Sequence, residues 1–309
     1  MKKIEKVTLA GLGAIGCFFA PGLYGTLGEN FRVLAGGERK KRLEDRGVVI
    51  NEKTYHFPIV EPETEGDPAD LVIISVKDTG LAAAIADLKN QVGADTLILS
   101  VLNGVESEEK VAEVYGWEHV LYSLMRVSSV MRDGVCSYDP ANGAVFFGEK
   151  ENRVLSDRVL AVKELFDASR IRYVIEEDMI HAIWYKFMAN VGENMTCAVL
   201  GIPFGEYRTN AHANWLREAA MREVQAIARE KGILLTEEEF IRQGKIILGI
   251  RPENKPSTLQ DLEQGRKTEI EMFSGKVVRL GQELGIPTPV NEVYYHAVKA
   301  LEEKGIKQE

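Results

Sequence analysis

Val7-Thr8-Leu9-Ala10-Gly11-Leu12-Gly13-Ala14-Ile15-Gly16-Cys17-Phe18-Phe19-Ala20 carries an apolar run into a glycine-rich turn and then into a helical pattern. The order of these pieces decides the fold. A bare G-x-G-x-x-G is common, but one that closes a strand and opens a helix has a physical job. Gly11 permits the tight turn, Gly13 lets backbone approach a pyrophosphate, and Gly16 lets the helix pack closely on the strand. Free N–H groups and the positive end of the helix dipole then favour an anion. Gly11, Leu12, Gly13, Ala14, Ile15 and Gly16 are therefore read as a dinucleotide cradle. Lys2-Lys3 before the apolar run imitates the start of a signal peptide. No clear small-x-small cleavage site follows, and the glycines keep fingerprint spacing, so the chain is read as cytoplasmic.

Further apolar runs of strand length follow at Phe31–Ala35, Leu71–Val76, Thr96–Val101 and Val120–Met125, with helical stretches between them. Such alternation predicts an α/β fold, a doubly wound parallel sheet of the Rossmann type with right-handed crossovers. After about Glu176 the character changes, and 178–200, 211–231, 237–248 and 267–284 all read as helix. The expected organisation is a dinucleotide-binding domain over 1–176 and an all-helical substrate and catalytic domain over 177–309. A chain of 309 residues is long enough for two cores.

With 45% hydrophobic and 28% charged residues the composition is that of a soluble globular protein. No apolar run reaches membrane-spanning length. A formal net charge of -9 argues against a general nucleic-acid surface, which leaves small molecules as the expected ligands. Cys17, Cys136 and Cys197 lie far apart without C-x-x-C spacing, and the five histidines form no H-E-x-x-H cluster, so no metal is expected.

Lys186, Asn190 and Asn194 stand at i, i+4 and i+8 of the predicted helix and rise along one side of it. One reading is a solvated stripe. The flanks Ile183-Trp184, Phe187-Met188-Ala189 and Val191 leave little obvious solvent face, and the other reading is a lysine and two amides turned towards a cleft. Lys77 and Asn103 both follow predicted parallel strands, at the edge where such sheets bind ligands.

Trp184-Tyr185-Lys186-Phe187 with Asn190 and Asn194, Asn103-Gly104, Val76-Lys77 and Lys267-Thr268-Glu269-Ile270-Glu271 together resemble the ketopantoate reductase (2-dehydropantoate 2-reductase) family, over essentially the whole chain. The resemblance implies NADPH-dependent reduction of a 2-keto acid, in pantothenate biosynthesis, with NAD as the other candidate cofactor. It makes Lys186 the general acid and Asn190 and Asn194 substrate ligands. Glu269 becomes an active-site carboxylate that contacts the cofactor, and Asn254 and Ser257 hold substrate. Lys77 and Asn103 fall near the cofactor and its nicotinamide. The substrate is then expected in a cleft between the two domains. On the residues alone, Glu269 could equally be a solvated helix carboxylate, and Ser257 an N-cap for a helix beginning near Thr258.

Three positions depart from the family pattern. Gly36 stands where an arginine meets the 2′-phosphate, with Arg39-Lys40-Lys41-Arg42 close by as either substitute cations or a solvated helix face. Phe204 replaces an asparagine that binds substrate, and Leu102 replaces a glutamine before Asn103. The alternatives are a reductase of another branched 2-keto acid, or a nucleotide-responsive binding protein without turnover. The sequence leaves the oligomeric state open.

Overall fold

The computed structural model describes residues 3–132 and 134–306, without the side chain of Ile306; Lys2 of the signal-peptide-like start lies outside the described residues. The chain divides into two compact units, Met1–Met179 and Ile180–Glu309.

The first unit is built on a 10-stranded sheet. Its strands are β1 (Val7–Ala10), β2 (Phe31–Leu34), β3 (Val48–Ile50), β4 (Lys53–Tyr55), β5 (Ile59–Val60), β6 (Ala69–Ile74), β7 (Val92–Ser100), β8 (Val120–Arg132), β9 (Val135–Gly148) and β10 (Tyr173–Val174). The five runs expected from the sequence form β1, β2, β6, β7 and β8, which lie in the order β2-β1-β6-β7-β8 and pair in parallel. β1 and β2 are buried along their whole length, with Thr8 and Arg32 buried among their apolar residues. Helices α1 (Gly16–Leu27), α2 (Gly37–Arg46), α3 (Leu81–Asp87), α4 (Ser107–Tyr115) and α5 (Asp157–Ala168) supply the cover. On one face Val7, Leu9, Val33, Leu71, Ile73 and Leu99 join Phe19 and Leu23 of α1 and Val162 and Phe166 of α5 in a single apolar core.

Beyond β8 the sheet is mixed, which the sequence did not announce. β8 and β9 pair antiparallel in a long hairpin, β3 runs parallel to β9, and β3 and β4 form a second hairpin. The outer half of β8 alternates between partly buried and exposed residues, so its run continues to Arg132 without an apolar signature. The turn of the small hairpin is Asn51-Glu52, both at positive φ. Two such residues make a twist-matched hairpin turn, but without glycine they give a faint signal.

The second unit is helical. It comprises α6 (Met179–Leu200), α7 (Ala211–Glu230), α8 (Glu237–Gly249), α9 (Ser257–Glu263), α10 (Ser274–Leu284) and α11 (Pro289–Ile306), α6 starting at the unit boundary. The helix expected over 267–284 begins only at Ser274, and the residues before it form a turn. Glu223 on α7 accepts the backbone N–H groups of Val290 (2.8 Å) and Asn291 (3.0 Å), so a carboxylate caps the first turn of α11. Among the described residues no helix is long and apolar enough to cross a membrane.

Candidate active site

The carboxyl edge of the parallel sheet is one in-register row. Val60, Leu34, Ala10, Ile74 and Ser100 are direct neighbours across β5, β2, β1, β6 and β7. Gly37, Gly13, Lys77 and Asn103 are each the third residue past that row on their own chain segment. Four loops, predicted separately from the sequence, therefore leave the sheet at the same level. The chain order turns around at β1, which has β2 on one side and β6 on the other, and the crevice at such a reversal is where open parallel sheets bind ligands.

The glycine turn has the geometry its spacing implies. Gly11 has φ +104°, and a Cβ there would lie 2.8 Å from the Ser75 carbonyl. A Cβ on Gly16 would come within 2.1 Å of the Gly11 oxygen, so helix and strand meet at backbone contact. Around Gly13 nothing lies within 4 Å of where a Cβ would stand, which leaves room for another molecule to approach the main chain. Ser75 Oγ, just past the end of β6, donates to the Gly11 carbonyl (2.6 Å) and Ser129 Oγ of β8 to that of Ala14 (2.9 Å), pinning the turn from two sides. With α1 starting at Gly16, the open backbone at Gly13 and the helix N-terminus fit a dinucleotide pyrophosphate. Cys17 and Cys136, distant in sequence, are both buried free thiols that meet behind this turn. Their mutual hydrogen bond raises the pKa of Cys17 and lowers that of Cys136.

Only Ala35 and Gly36 separate β2 from α2, with Gly36 as the N-cap of the helix. Lys40 Nζ is committed to Glu61 (2.7 Å). Arg39 and Arg42 are both exposed, and among the described residues neither has an ion-pair partner. Partial desolvation of the Arg39 guanidinium and its proximity to Arg42 lower the Arg39 pKa. Like charges this close concentrate positive potential at this part of α2.

In the second unit α6 is buried on nearly every side, the exceptions being its two ends and one stripe. Within 182–198 only Lys186, Asn190 and Asn194 are half-exposed, and every other residue is buried. An amphipathic surface helix exposes a broad polar face, whereas this stretch of α6 exposes only a narrow stripe. Buried polar contacts beside the stripe fix the rotation of α6: Tyr185 OH donates to Gln243 Oε1 (2.9 Å), and Gln243 Nε2 to Glu193 Oε1 (2.9 Å). Glu193 also faces Arg217 at 3.5 Å, both almost wholly buried.

Asn254 is half-buried in the loop before α9, and its carbonyl accepts the N–H of Phe204 (2.9 Å), just after α6. Ser257 is exposed and is the first residue of α9; the N-cap is Pro256, so Ser257 does not cap the helix. Glu269 is half-buried in the turn before α10, not on a helix. Among the described residues no group of three or more His, Cys, Asp or Glu is placed to hold a metal ion.

Family models for ketopantoate reductase PanE/ApbA match residues 7–152, and for its C-terminal part residues 178–302. The chain belongs to the ketopantoate reductase family. A 2-dehydropantoate 2-reductase of Streptococcus pyogenes serotype M6 is 26% identical over 301 residues, covering 96% of this chain and 97% of that protein. The crystal structure of a PanE/ApbA family ketopantoate reductase from Ralstonia eutropha JMP134 superposes with a TM-score of 0.83 at 24% identity, covering 97% of this chain and 99% of that one. The ternary structure of D-mandelate dehydrogenase with NADH and anilino(oxo)acetate gives 0.86 at 23% identity, with the same coverage. As a ketopantoate reductase family member the protein is an NAD(P)H-dependent oxidoreductase. The buried contacts among Glu193 of α6, Arg217 of α7 and Gln243 of α8 were missed by sequence reasoning, since nothing in the local pattern of these helices marks them.

Proposed function

We propose that the protein is a cytoplasmic enzyme that reduces the 2-keto group of ketopantoate to the hydroxyl of pantoate with NADPH, Lys186 delivering the proton. The observation that carries this reading is the α6 stripe: a lysine and two amides are the half-exposed groups of an otherwise buried stretch of helix. When bound, the nicotinamide supplies a hydride to the carbonyl carbon. Negative charge then grows on the carbonyl oxygen, and the Lys186 ammonium stabilises it by a hydrogen bond and transfers its proton. Asn190 and Asn194, one and two turns further along α6, offer amide donors and acceptors to the keto acid, and Asn254 and Ser257 hold its remaining polar groups. Glu269 contacts the cofactor within the active site.

On the cofactor side the turn 11–16 holds the pyrophosphate, Lys77 and Asn103 approach the nicotinamide half, and Arg39 with Arg42 takes the 2′-phosphate in place of an arginine at Gly36. The fit is supported by the open backbone at Gly13 and by the two unneutralised guanidinium groups. The test is cofactor oxidation by the purified protein, followed at the nicotinamide absorbance, with NADPH and NADH in parallel against ketopantoate and other branched or aromatic 2-keto acids. Ketopantoate with NADPH is expected to give the highest kcat/KM. A higher value for another keto acid refutes the substrate assignment, and a higher value with NADH refutes the cofactor assignment.

A further inference from the structure

We infer that Glu302, on α11, is a positioning residue for Glu269, an inference that rests on the proposed active-site role of Glu269. Segment 267–273 has the composition of a helix start, yet it forms a turn. The side chain that holds it there comes from more than thirty residues away. Glu302 Oε1 accepts both the backbone N–H (2.7 Å) and the hydroxyl (2.6 Å) of Thr268. Thr268 Oγ1 in turn accepts the N–H of Ile270 (3.2 Å). Glu269 is thus flanked by two buried residues whose main chain is tied, directly or through one hydroxyl, to a single carboxylate. Hydrogen bonds to an ionised acceptor are the strong kind.

Other bonds close the two ends of the turn. Downstream, Met272 N–H reaches the Glu269 carbonyl (3.0 Å) and Gly275 N–H that of Ile270 (2.9 Å), which closes the turn onto α10. Upstream, Arg266 is bound to Asp261 through its backbone N–H (2.8 Å) and its side chain. Between these anchors, Thr268 is where the direction of the chain into Glu269 is set. Glu302 is a pure acceptor here, so a neutral amide of the same shape can replace it and a methyl group cannot. A displacement of about 1 Å in a reacting group is enough to cost on the order of 10²-fold in rate.

The test compares Glu302→Ala with Glu302→Gln in the full-length protein. Glu302→Ala is expected to lower kcat for ketopantoate by roughly 10–100-fold with a smaller change in KM, and Glu302→Gln to restore it to within about 3-fold of wild type. In a Glu269→Ala background the added Glu302→Ala change is expected to cost less than about 2-fold, because residues acting through one another are not additive. Equal losses in both backgrounds, or no rescue by glutamine, overturn the inference. Hydrogen exchange over 266–274 gives a readout independent of turnover: it accelerates in Glu302→Ala and not in Glu302→Gln if Glu302 holds the turn, and unchanged exchange in Glu302→Ala overturns the inference. Should the wild type fail to reduce ketopantoate, the functional reading falls, while exchange still decides the role of Glu302. Thr268→Val removes the hydroxyl alone and is expected to give an intermediate loss of kcat should Glu302→Ala not fold.

Discussion

Gly13 and Gly16 lie three residues apart in the same turn, and the structure assigns them opposite consequences on substitution. In Gly16→Ala the new methyl would stand 2.1 Å from the Gly11 oxygen, a backbone atom that no rotamer change can move. To reach the 3.4 Å at which ordinary contact begins, helix and strand must separate by about 1.3 Å. Overpacking of this kind costs roughly 1–3 kcal/mol, which for a unit of this size lowers Tm by about 2–12 °C. The same shift moves the α1 N-terminus away from the turn, so cofactor affinity falls with stability. In Gly13→Val no atom lies within 4 Å of the new Cβ, and Tm is expected to stay within about 1 °C of wild type. The branched side chain instead occupies the space through which a pyrophosphate would approach, and Kd for NADPH is expected to rise by at least about 100-fold. Differential scanning fluorimetry gives Tm, and quenching or enhancement of NADPH fluorescence gives Kd. If Gly13→Val binds NADPH like wild type, or if Gly16→Ala keeps both Tm and Kd, the assignment of the turn is wrong.

Three further outcomes are expected. Lys186→Ala should reduce kcat on the order of 10²–10⁴-fold while Kd for NADPH stays unchanged, and turnover within a few-fold of wild type would remove lysine as the proton donor. Replacing Arg39 and Arg42 together by alanine should raise Kd for NADPH by roughly 10-fold or more and leave that for NADH alone, whereas Lys40→Ala, whose ammonium is engaged by Glu61 at 2.7 Å, should have little effect on either; equal effects on both cofactors contradict the phosphate assignment. Glu193→Ala removes the buried carboxylate facing Arg217, whose side chain is 4% exposed and keeps the more exposed Glu218 at 3.5 Å, and takes away the acceptor of the Gln243 amide N–H, so a stability loss of about 3 kcal/mol is expected; an unchanged melting curve would show that the buried pair is not what holds α6.

The five parallel strands could be read from the sequence because burial on both faces writes them as short, mostly apolar runs, even where Thr8, Arg32, Ser100 and Ser123 interrupt them. The small hairpin could not, since Asn51-Glu52 takes positive φ without the glycine that usually marks such a turn. β9 carries Asp139, Pro140, Asn142 and Gly143, and its outer half is mostly exposed, so neither composition nor alternation distinguishes it from a loop. The stripe of Lys186, Asn190 and Asn194 was legible for another reason: the apolar flanks Ile183-Trp184, Phe187-Met188-Ala189 and Val191 set off three polar residues at helical spacing, although Glu193 and Thr196 on the same helix are buried and gave no such signal. Glu269 was assigned to a helix because its neighbours have helical propensity. The device that bends them into a turn, Glu302, lies 34 residues beyond Thr268, and no local pattern reports it. The Cys17–Cys136 contact is hidden in the same way, by sequence distance.

The segment after α6 is stitched to the loop before α9 by main-chain bonds, Phe204 N–H to the Asn254 carbonyl and Gly205 N–H to that of Pro252, both at 2.9 Å. Bonds of this kind do not ask which side chain either partner carries. Gly205 alone is constrained, because a Cβ there would lie 2.7 Å from Pro252. Evolution can therefore exchange the side chains at 204 and 254 while the path of both segments stays the same. A substitution at either position is then a change of surface chemistry without a change of scaffold, so the lining of these two segments can be altered one side chain at a time while the main-chain stitch between them stays intact.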